Sequence, residues 1–423
     1  MESNSVLQKF WAPTLLAAAM LMVTMGARQS MGLFVSPINT ATGLGIATIS
    51  LAMAVGQFLW GAVQPIAGAV ADRYGAGRVL VAGLLILALG NAVTPLLSSS
   101  WGLIFSIGVL TAVGSGAASF SVLIGSVAQR VPAQRRGIAS GIVNAGGSFG
   151  QFVFAPLLQK LISVFGWMGA LWSLALITLA ALPIAVAVGR RPAEHAALTR
   201  VSTPSTETRA VAPAQEIGLK AATRNALADR SYLLLHAGFF TCGFHIAFLV
   251  THLPGEVQLC GLPAQVASWS LAIIGLANIA GSLLAGWGVQ RYRSKYILFW
   301  MYASRSVLIA LYLLAPKTAL TFYLFAAGLG LTWLATVPPT AGVVSKLFGT
   351  RYLATLFGLT LLSHQIGGFF GAWLGGIAIT RLGNYSSMWY ADIALAALAA
   401  VCNLPIREAM VMPMLRPIVP GKA

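Results

Sequence analysis

Arg28 is the residue from which a chemistry can first be read. It stands inside a long apolar run, flanked by Gly26, Gln29 and Ser30. An Arg at the centre of a membrane helix costs roughly 2.5–3.5 kcal/mol on insertion scales, so such a residue usually has a role. No Asp or Glu falls at the middle of any apolar run, and Asp392, near the start of the last one, is the nearest candidate partner. A buried cation without a partner attracts an anion, so the expected chemistry is non-covalent capture of an anionic substrate. The alternative is a cation neutralised by backbone carbonyls of a neighbouring helix, or one reaching toward the interface. His245 and His364 add imidazoles inside other apolar runs. Imidazole titrates near neutral pH, which makes these two the expected proton carriers in a core that lacks a mid-span acid. Either is otherwise a hydrogen-bonded packing residue. The amides Asn144, Gln151, Asn278 and Gln365, with Gln57, can line a cavity or hold helices together.

Other chemistries lack their residues. There is no Gly-x4-Gly-Lys-Ser/Thr phosphate loop, so ATP is not the expected energy source by that route. No Cys/His cluster has metal-ligand spacing, and no nucleophile–base arrangement sits in a polar domain, so neither a metal, a cofactor nor an enzymatic activity is expected. Cys242, Cys260 and Cys402 form no disulfide framework spacing.

The elements that must position these residues are membrane helices. The chain is 58% hydrophobic and 8% charged over 423 residues, with a mean hydropathy of +0.83. Soluble domains carry about a quarter charged residues, so most of this surface is expected to face lipid. Apolar runs occupy 12–35, 46–70, 79–97, 101–127, 138–163, 167–188, 231–252, 265–288, 296–315, 318–343, 353–378 and 386–405. Each is near the roughly 20 residues that a hydrocarbon core demands. The first run is too long for a signal-peptide core and reads as an uncleaved first helix.

The net charge of +17 has the same cause. Of the 26 Lys and Arg residues, Arg28 and Arg305 fall inside runs, and Lys160, Lys317 and Arg381 flank one side. The remaining 21 flank the other, among them Arg73, Arg78, Arg130, Arg135, Arg136, Arg291, Arg293, Lys295, Lys346, Arg351 and Arg407. This is the positive-inside pattern of a protein in a bacterial inner membrane with both termini cytoplasmic. The excess charge is topology, and nucleic acid is not an expected partner.

The two halves repeat one another. Gly26-Ala27-Arg28 followed by Pro37 matches Gly243-Phe244-His245 followed by Pro254, an offset of 217. The segment from Gly68 through Asp72, Arg73 and Gly75 matches that from Gly286 through Gln290 and Arg291, an offset of 218. Gly141 and Gly150 match Gly358 and Gly367 at 217, and Gly147 falls opposite His364. The expected organisation is a six-helix bundle over 1–189, a cytoplasmic linker, partly disordered, over 190–230, and a second bundle over 231–423. Its composition of Pro, Ser, Thr, Ala and charge marks the linker. Parallel six-helix repeats are a plan of secondary transporters, with the substrate near the midplane between them.

The Gly68–Arg78 segment resembles the signature loop between helices 2 and 3 of the major facilitator superfamily. That loop is usually Gly-x3-Asp-Arg-x-Gly-Arg-Arg, and here one extra residue precedes Arg78. The resemblance spans the whole chain, includes Arg135-Arg136-Gly137, and implies an all-α fold of twelve transmembrane helices in two pseudo-symmetric bundles. It also implies gating by Gly68, Asp72, Arg73, Gly75 and Arg78, with Gln290 and Arg291 as a weaker second copy. Glycine-rich helices 5 and 11 look most like the oxalate–formate antiporter and monocarboxylate branch. In oxalate–formate antiporters a buried Lys stands where His364 stands here. Their second binding cation, an Arg in helix 8 four residues after an Asn, is replaced by Ser282 after Asn278. A monoanion held by Arg28 with one or two imidazoles is therefore the better charge match than a dianion. Helix 9 is peripheral in this superfamily, so Arg305 is expected to brace a neighbouring helix. His252, beside Pro254, is expected in the outer vestibule.

The expected function is secondary active transport of a small organic anion, a monocarboxylate, coupled to protons by alternating access in a monomeric unit. Efflux of an amphipathic compound such as a drug or siderophore stays open, given 11 Trp and 20 Phe. So does exchange of organophosphates, whose antiporters resemble this layout with two Args where this chain has Arg28 and His245.

Overall fold

The computed structural model describes residues 2–97, 99–128, 130–131, 136–189, 219–349 and 353–409, and at some helical positions the backbone only. All regular structure among them is helical. Helix 1 runs Glu2–Gln29, breaks at Ser30, and continues as a 3-10 turn Met31–Phe34 and a short helix Val35–Thr42. Helices 2 and 3 are Ile46–Tyr74 and Ala76–Val93. Helix 4 is made of Ser100–Leu103, a π-helical stretch Ile104–Thr111, Ala112–Ala117 and Phe120–Ala128. The helical run Arg136–Ala180 turns at Gly166 (φ 70°, ψ 174°), giving helix 5 before it and helix 6 after it, the latter continuing as Leu182–Gly189. A short connecting helix, Leu219–Ala228, precedes helix 7, Arg230–Leu259. Helices 8 and 9 are Ala264–Arg291 and Ser294–Leu314. Helix 10 is split into Ala319–Thr332 and Val337–Phe348, and helices 11 and 12 are Leu353–Leu382 and Ser386–Asn403.

Each expected apolar run coincides with one helix. By length and hydropathy alone, eight described stretches could cross a membrane, the longest, Gly141–Gly189, holding helices 5 and 6 together. Two differences have a local cause. Helix 10 is broken because Pro338 and Pro339 open its second segment, and proline can neither donate to nor pack against the preceding turn. Helix 7 continues past the apolar run to Leu259 and carries Glu256 with it. Of the expected linker, 190–218 lies outside the described residues, and most of the remainder is the connecting helix.

Packing repeats as the sequence does. A Cβ on Gly26 would stand 2.7 Å from the carbonyl oxygen of Gly150, joining helix 1 to helix 5. Its repeat equivalent Gly243 is pressed as closely on the carbonyl of His364, and Gly367 on that of Phe240, joining helix 7 to helix 11. Small residues permit such backbone contact, which drives helix association where lipid removes the hydrophobic contrast. Helices 3, 6, 9 and 12 present exposed Leu85, Leu176, Leu311 and Leu398 outward, as peripheral helices in lipid should.

The bundles meet along helices 2 and 11 and along helices 5 and 8. Gly61 abuts the side chain of Gln365, Gly376 abuts Ser50, and Gly275 lies against the Ser148 carbonyl. Gly32, in the 3-10 turn of helix 1, is pressed on the Val250 carbonyl of helix 7. Seven residues along from these contacts, about two helical turns, the same faces are free. Among the described residues, no atom of the opposite bundle comes within 4 Å of a Cβ on Gly68, Gly141 or Gly358, and none does so at Gly286, three turns from Gly275. The interface is thus closed on the face away from the basic loops and parted toward the basic face.

Candidate functional site

Arg28 lies in the last turn of the first segment of helix 1, just ahead of the break at Ser30. Its Nη2 donates a hydrogen bond to Gln57 Oε1 of helix 2. The guanidinium carbon sits 4.6 Å from the centroid of the Trp60 ring, one turn further along the same helix. No ion pair among the described residues involves it. The cation is therefore held by an amide and a π face, both neutral, at the level where the bundles come together. Gln57 and Gly61 border helix 11 there, the first at Gly368 and the second at Gln365.

Helix 11 brings His364 and Gln365 to the same level. The Gln365 Nε2 amide donates to His364 Nδ1 at 3.2 Å, and the His364 ring lies 4.9 Å from Phe239. His364 is 8% exposed and Gln365 2%. Arg28, Gln57, Trp60 and Gln365 thus form a polar cluster across the helix 2–helix 11 seam, with His364 behind it.

His245 does not join them. It has no exposed surface, and its Nδ1 is in contact with Asp392 Oδ2 of helix 12. The repeat equivalents therefore face different neighbours. This corrects the expectation that the core lacks an embedded acid, and Asp392, the nearest candidate partner for Arg28 in the sequence, contacts His245 instead. The signal was legible: Asp392 is an isolated carboxylate in the otherwise uncharged Ser386–Asn403. Its burial depends on helix 12 packing against helices 7 and 9, which no local pattern reveals.

The amides divide. Asn278 is wholly buried; its Nδ2 donates to Ser148 Oγ at 2.8 Å and its Oδ1 accepts the Leu334 amide N–H at 2.9 Å. It is an interhelical tie among helices 5, 8 and 10. Gln151 is wholly buried, and neither of its amide atoms has a partner among the described residues. Asn144 is half-buried one turn before Ser148, whose hydroxyl donates to its carbonyl at 3.4 Å. Arg305 braces helix 10 as its peripheral position suggested, donating from Nη2 to the Thr332 carbonyl at 2.6 Å and the Trp333 carbonyl at 3.4 Å. His252 is 1% exposed and donates from Nε2 to the Ala372 carbonyl at 2.7 Å, so it is a packing residue and lines no vestibule.

In the signature loop, Gly75 (φ 94°) makes the tight turn between helices 2 and 3 that a side chain would strain. Arg78 is exposed in the first turn of helix 3. The residue before it, Gly77, packs on Gly189, and a Cβ there would stand 2.6 Å from the Gly189 Cα. Arg291 stacks 4.5 Å above the Trp287 ring. The side chains of Asp72, Arg73 and Gln290, like Arg135, lie outside the described residues. A separate cleft of about 380 Å³ opens between helices 7, 11 and 12, lined by Phe240, Ile366 and Leu398 with His236 bonded to Ser363. It offers no charge to an anion.

Two helical bundles that meet along a seam, where Arg28 has only neutral partners among the described residues, have the architecture of a membrane transporter. The sequence profile of the Major Facilitator Superfamily matches residues 16–372, and the chain belongs to that superfamily. It is 27% identical over 410 residues to monocarboxylate transporter 13 of Rattus norvegicus, covering 93% of this chain and 89% of that one. It is 23% identical to the oxalate:formate antiporter of Oxalobacter formigenes, covering 99% and 95%. Among solved structures it superposes on a D-xylose–proton symporter with a TM-score of 0.72 at 14% identity, covering 94% of this chain and 98% of that one, a likeness of fold.

Proposed function

We propose that this chain moves a small organic anion, a monocarboxylate, across a bacterial inner membrane with proton coupling. The observation that carries the reading is Arg28: a cation at the bundle seam whose partners are Gln57 and Trp60, both neutral. A carboxylate entering from the parted side reaches the guanidinium without first breaking an internal ion pair. Its second oxygen has the Gln365 side chain in the same cluster, backed by His364. One strong cation suits a monoanion, and relatives named for monocarboxylates, oxalate and formate support the carboxylate class. The basic loops lie on the cytoplasmic side in this reading, so the parted seam opens inward.

Transport follows from electrostatics. A bound anion neutralises Arg28, and the seam can then close around an uncharged pair, which a low-dielectric interior tolerates far better than a lone ion. His245 and His364 are the proton carriers in this reading, because imidazole is the side chain whose ordinary titration falls in the physiological range. A thermal-shift screen of the purified protein tests the class. Formate, acetate, lactate, oxalate, inorganic phosphate and tetraphenylphosphonium are each added to wild type and Arg28→Ala. Stabilisation of wild type by a monocarboxylate, lost in the variant, is expected. Stabilisation by the hydrophobic cation alone would overturn the reading.

A further inference from the structure

The ionisable groups that the anion cluster leaves unused lie together inside the C-terminal bundle. His245 and Asp392 are in contact and both are wholly buried. Arg305 of helix 9 is also wholly buried and donates to the carbonyl of Trp333, whose ring stands against His245. Four polar atoms of these three side chains, His245 Nε2, Asp392 Oδ1, and Arg305 Nε and Nη1, have no hydrogen-bond partner among the described residues. A group serving packing alone would satisfy such atoms, because each left unpaired costs about 1–3 kcal/mol. The fold does not require the triad. At the repeat offset of 217, the positions of His245, Arg305 and Asp392 are held in the first half by Arg28, Ala88 and Ala175. The two alanines are buried and apolar.

The triad is joined to the break in helix 10. Arg305 donates to the Thr332 and Trp333 carbonyls that end the first segment, a placement that also suits a cation at a helix C-terminus. Cys242 Sγ lies 3.4 Å from Thr336 Oγ1, and the Trp333 ring stands edge-on to His245 with centroids 5.9 Å apart. The next residue of the break, Leu334, donates its N–H to Asn278, and Asn278 donates to Ser148 of the N-terminal bundle. Irregular backbone inside a membrane protein persists where side chains satisfy it. Here the side chains that do so connect a titratable pair on one side to the inter-bundle seam on the other.

We propose that the buried His245–Asp392 pair is a proton-binding site, and that Arg305, the helix 10 break and Asn278 carry its charge state to the Ser148 contact between the bundles. It deepens the proton-coupled transporter reading above and rests on that reading for its consequence. With Asp392 ionised and His245 neutral, Arg305 is balanced. When a proton joins the pair, no other bond is made or broken, but the pair becomes neutral, Arg305 loses the negative charge that balanced it, and its hold on the two carbonyls changes. Among the described residues, Arg305 on helix 9 and the Trp333 ring at the break face His245; Cys242, one turn before His245 on helix 7, in turn meets Thr336 at the break, Arg305 and Tyr302 on helix 9 and His364 on helix 11. Helix 8 reaches the break through the uncharged Asn278, by way of Leu334.

The test uses full-length protein in lipid with no carboxylate added. Infrared difference spectra between acid and neutral pH report the C=O stretch of a protonated carboxyl group. Wild type is expected to show a band that is absent from Asp392→Asn and displaced in His245→Gln. A spin-label pair at Val164→Cys and Leu259→Cys, both exposed, in a Cys260→Ser, Cys402→Ser background, reports the distance between the bundles. Its pH response should vanish in Asp392→Asn and in Asn278→Ala, while Asn278→Ala keeps the infrared band. A pH response that survives Asn278→Ala overturns the proposal, as does a titrating band independent of Asp392. If Asp392→Asn does not fold, His245→Gln takes its place: an unmoved band and a full distance response refute the site. Since no substrate is present, failure here is distinct from failure of the carboxylate reading.

Discussion

Replacing Gln57 with Glu sets the anion reading its hardest trial, because it supplies Arg28 with the partner that the fold withholds. In the wild type, Gln57 Oε1 already accepts from Arg28 Nη2, so a Glu carboxylate would stand at the same atom without rearrangement. Two unit charges about 4 Å apart attract by about 4 kcal/mol at an effective dielectric constant of about 20, before desolvation is deducted. A substrate carboxylate would have to displace that internal anion. Removing the cation outright, as in Arg28→Ala, forfeits a charge-assisted contact worth about 1.5–3 kcal/mol, or roughly tenfold to 150-fold in Kd. Gln57→Glu should weaken binding at least as much, yet leave the melting temperature of the ligand-free protein unchanged or higher. That pairing of lost affinity with kept stability separates occupation of the site from misfolding. Isothermal titration with the carboxylate that stabilises wild type gives the first quantity and a thermal melt the second. Unchanged affinity in Gln57→Glu would refute the assignment of Arg28 as the anion's ligand.

The closed face of the seam predicts a steric effect. A Cβ on Gly376 would stand 2.4 Å from the Ser50 Cβ, so Gly376→Ala should wedge the closed face and slow counterflow in proteoliposomes, whereas Gly141→Ala, with no described atom within 4 Å of the new Cβ, should leave counterflow unchanged. Gly150 admits no side chain against the Met22 carbonyl, so Gly150→Val should overpack helix 1 on helix 5. A loss of about 1–3 kcal/mol is expected, read as a lowered melting temperature in detergent.

Much of this architecture was legible because membrane solvent imposes strong rules. Twelve apolar runs, a one-sided distribution of Arg and Lys, and glycines at one offset are local facts, and they reappear in the helices, the exposed Leu faces and the Gly26–Gly150 and Gly243–His364 contacts. Arg305 as a brace was also legible, since a cation on a peripheral helix finds backbone carbonyls. What was hidden depends on side-chain direction. His245 occupies the place of Arg28 in the repeat but turns toward helix 12, and no periodicity states which of two neighbours a ring will face. For Asn278 the sequence left a cavity position and an interhelical tie both open, and it is a tie, because the broken backbone of helix 10 needs an acceptor for the Leu334 N–H. That need arises only once Pro338 and Pro339 have split the helix.

The divergence of Arg28 from His245 has a cause one helix away. Arg28 is cradled by Gln57 and Trp60 of helix 2. At the offset of 218 that relates helix 8 to helix 2, those positions are Gly275 and Asn278. Gly275 leaves room for the Ser148 backbone instead of supplying an amide to a cation. Asn278 spends its side chain on Ser148 and Leu334 instead of offering a π face. A cation at position 245 would find no cradle, and a neutral imidazole with Asp392 behind it is what that half of the molecule can bury. The residues that deny position 245 such a cradle also build the tie between the bundles. The proposed division of labour, anion capture in one half and proton-sensitive latching in the other, therefore rests on helix 8 as much as on the charged residues themselves.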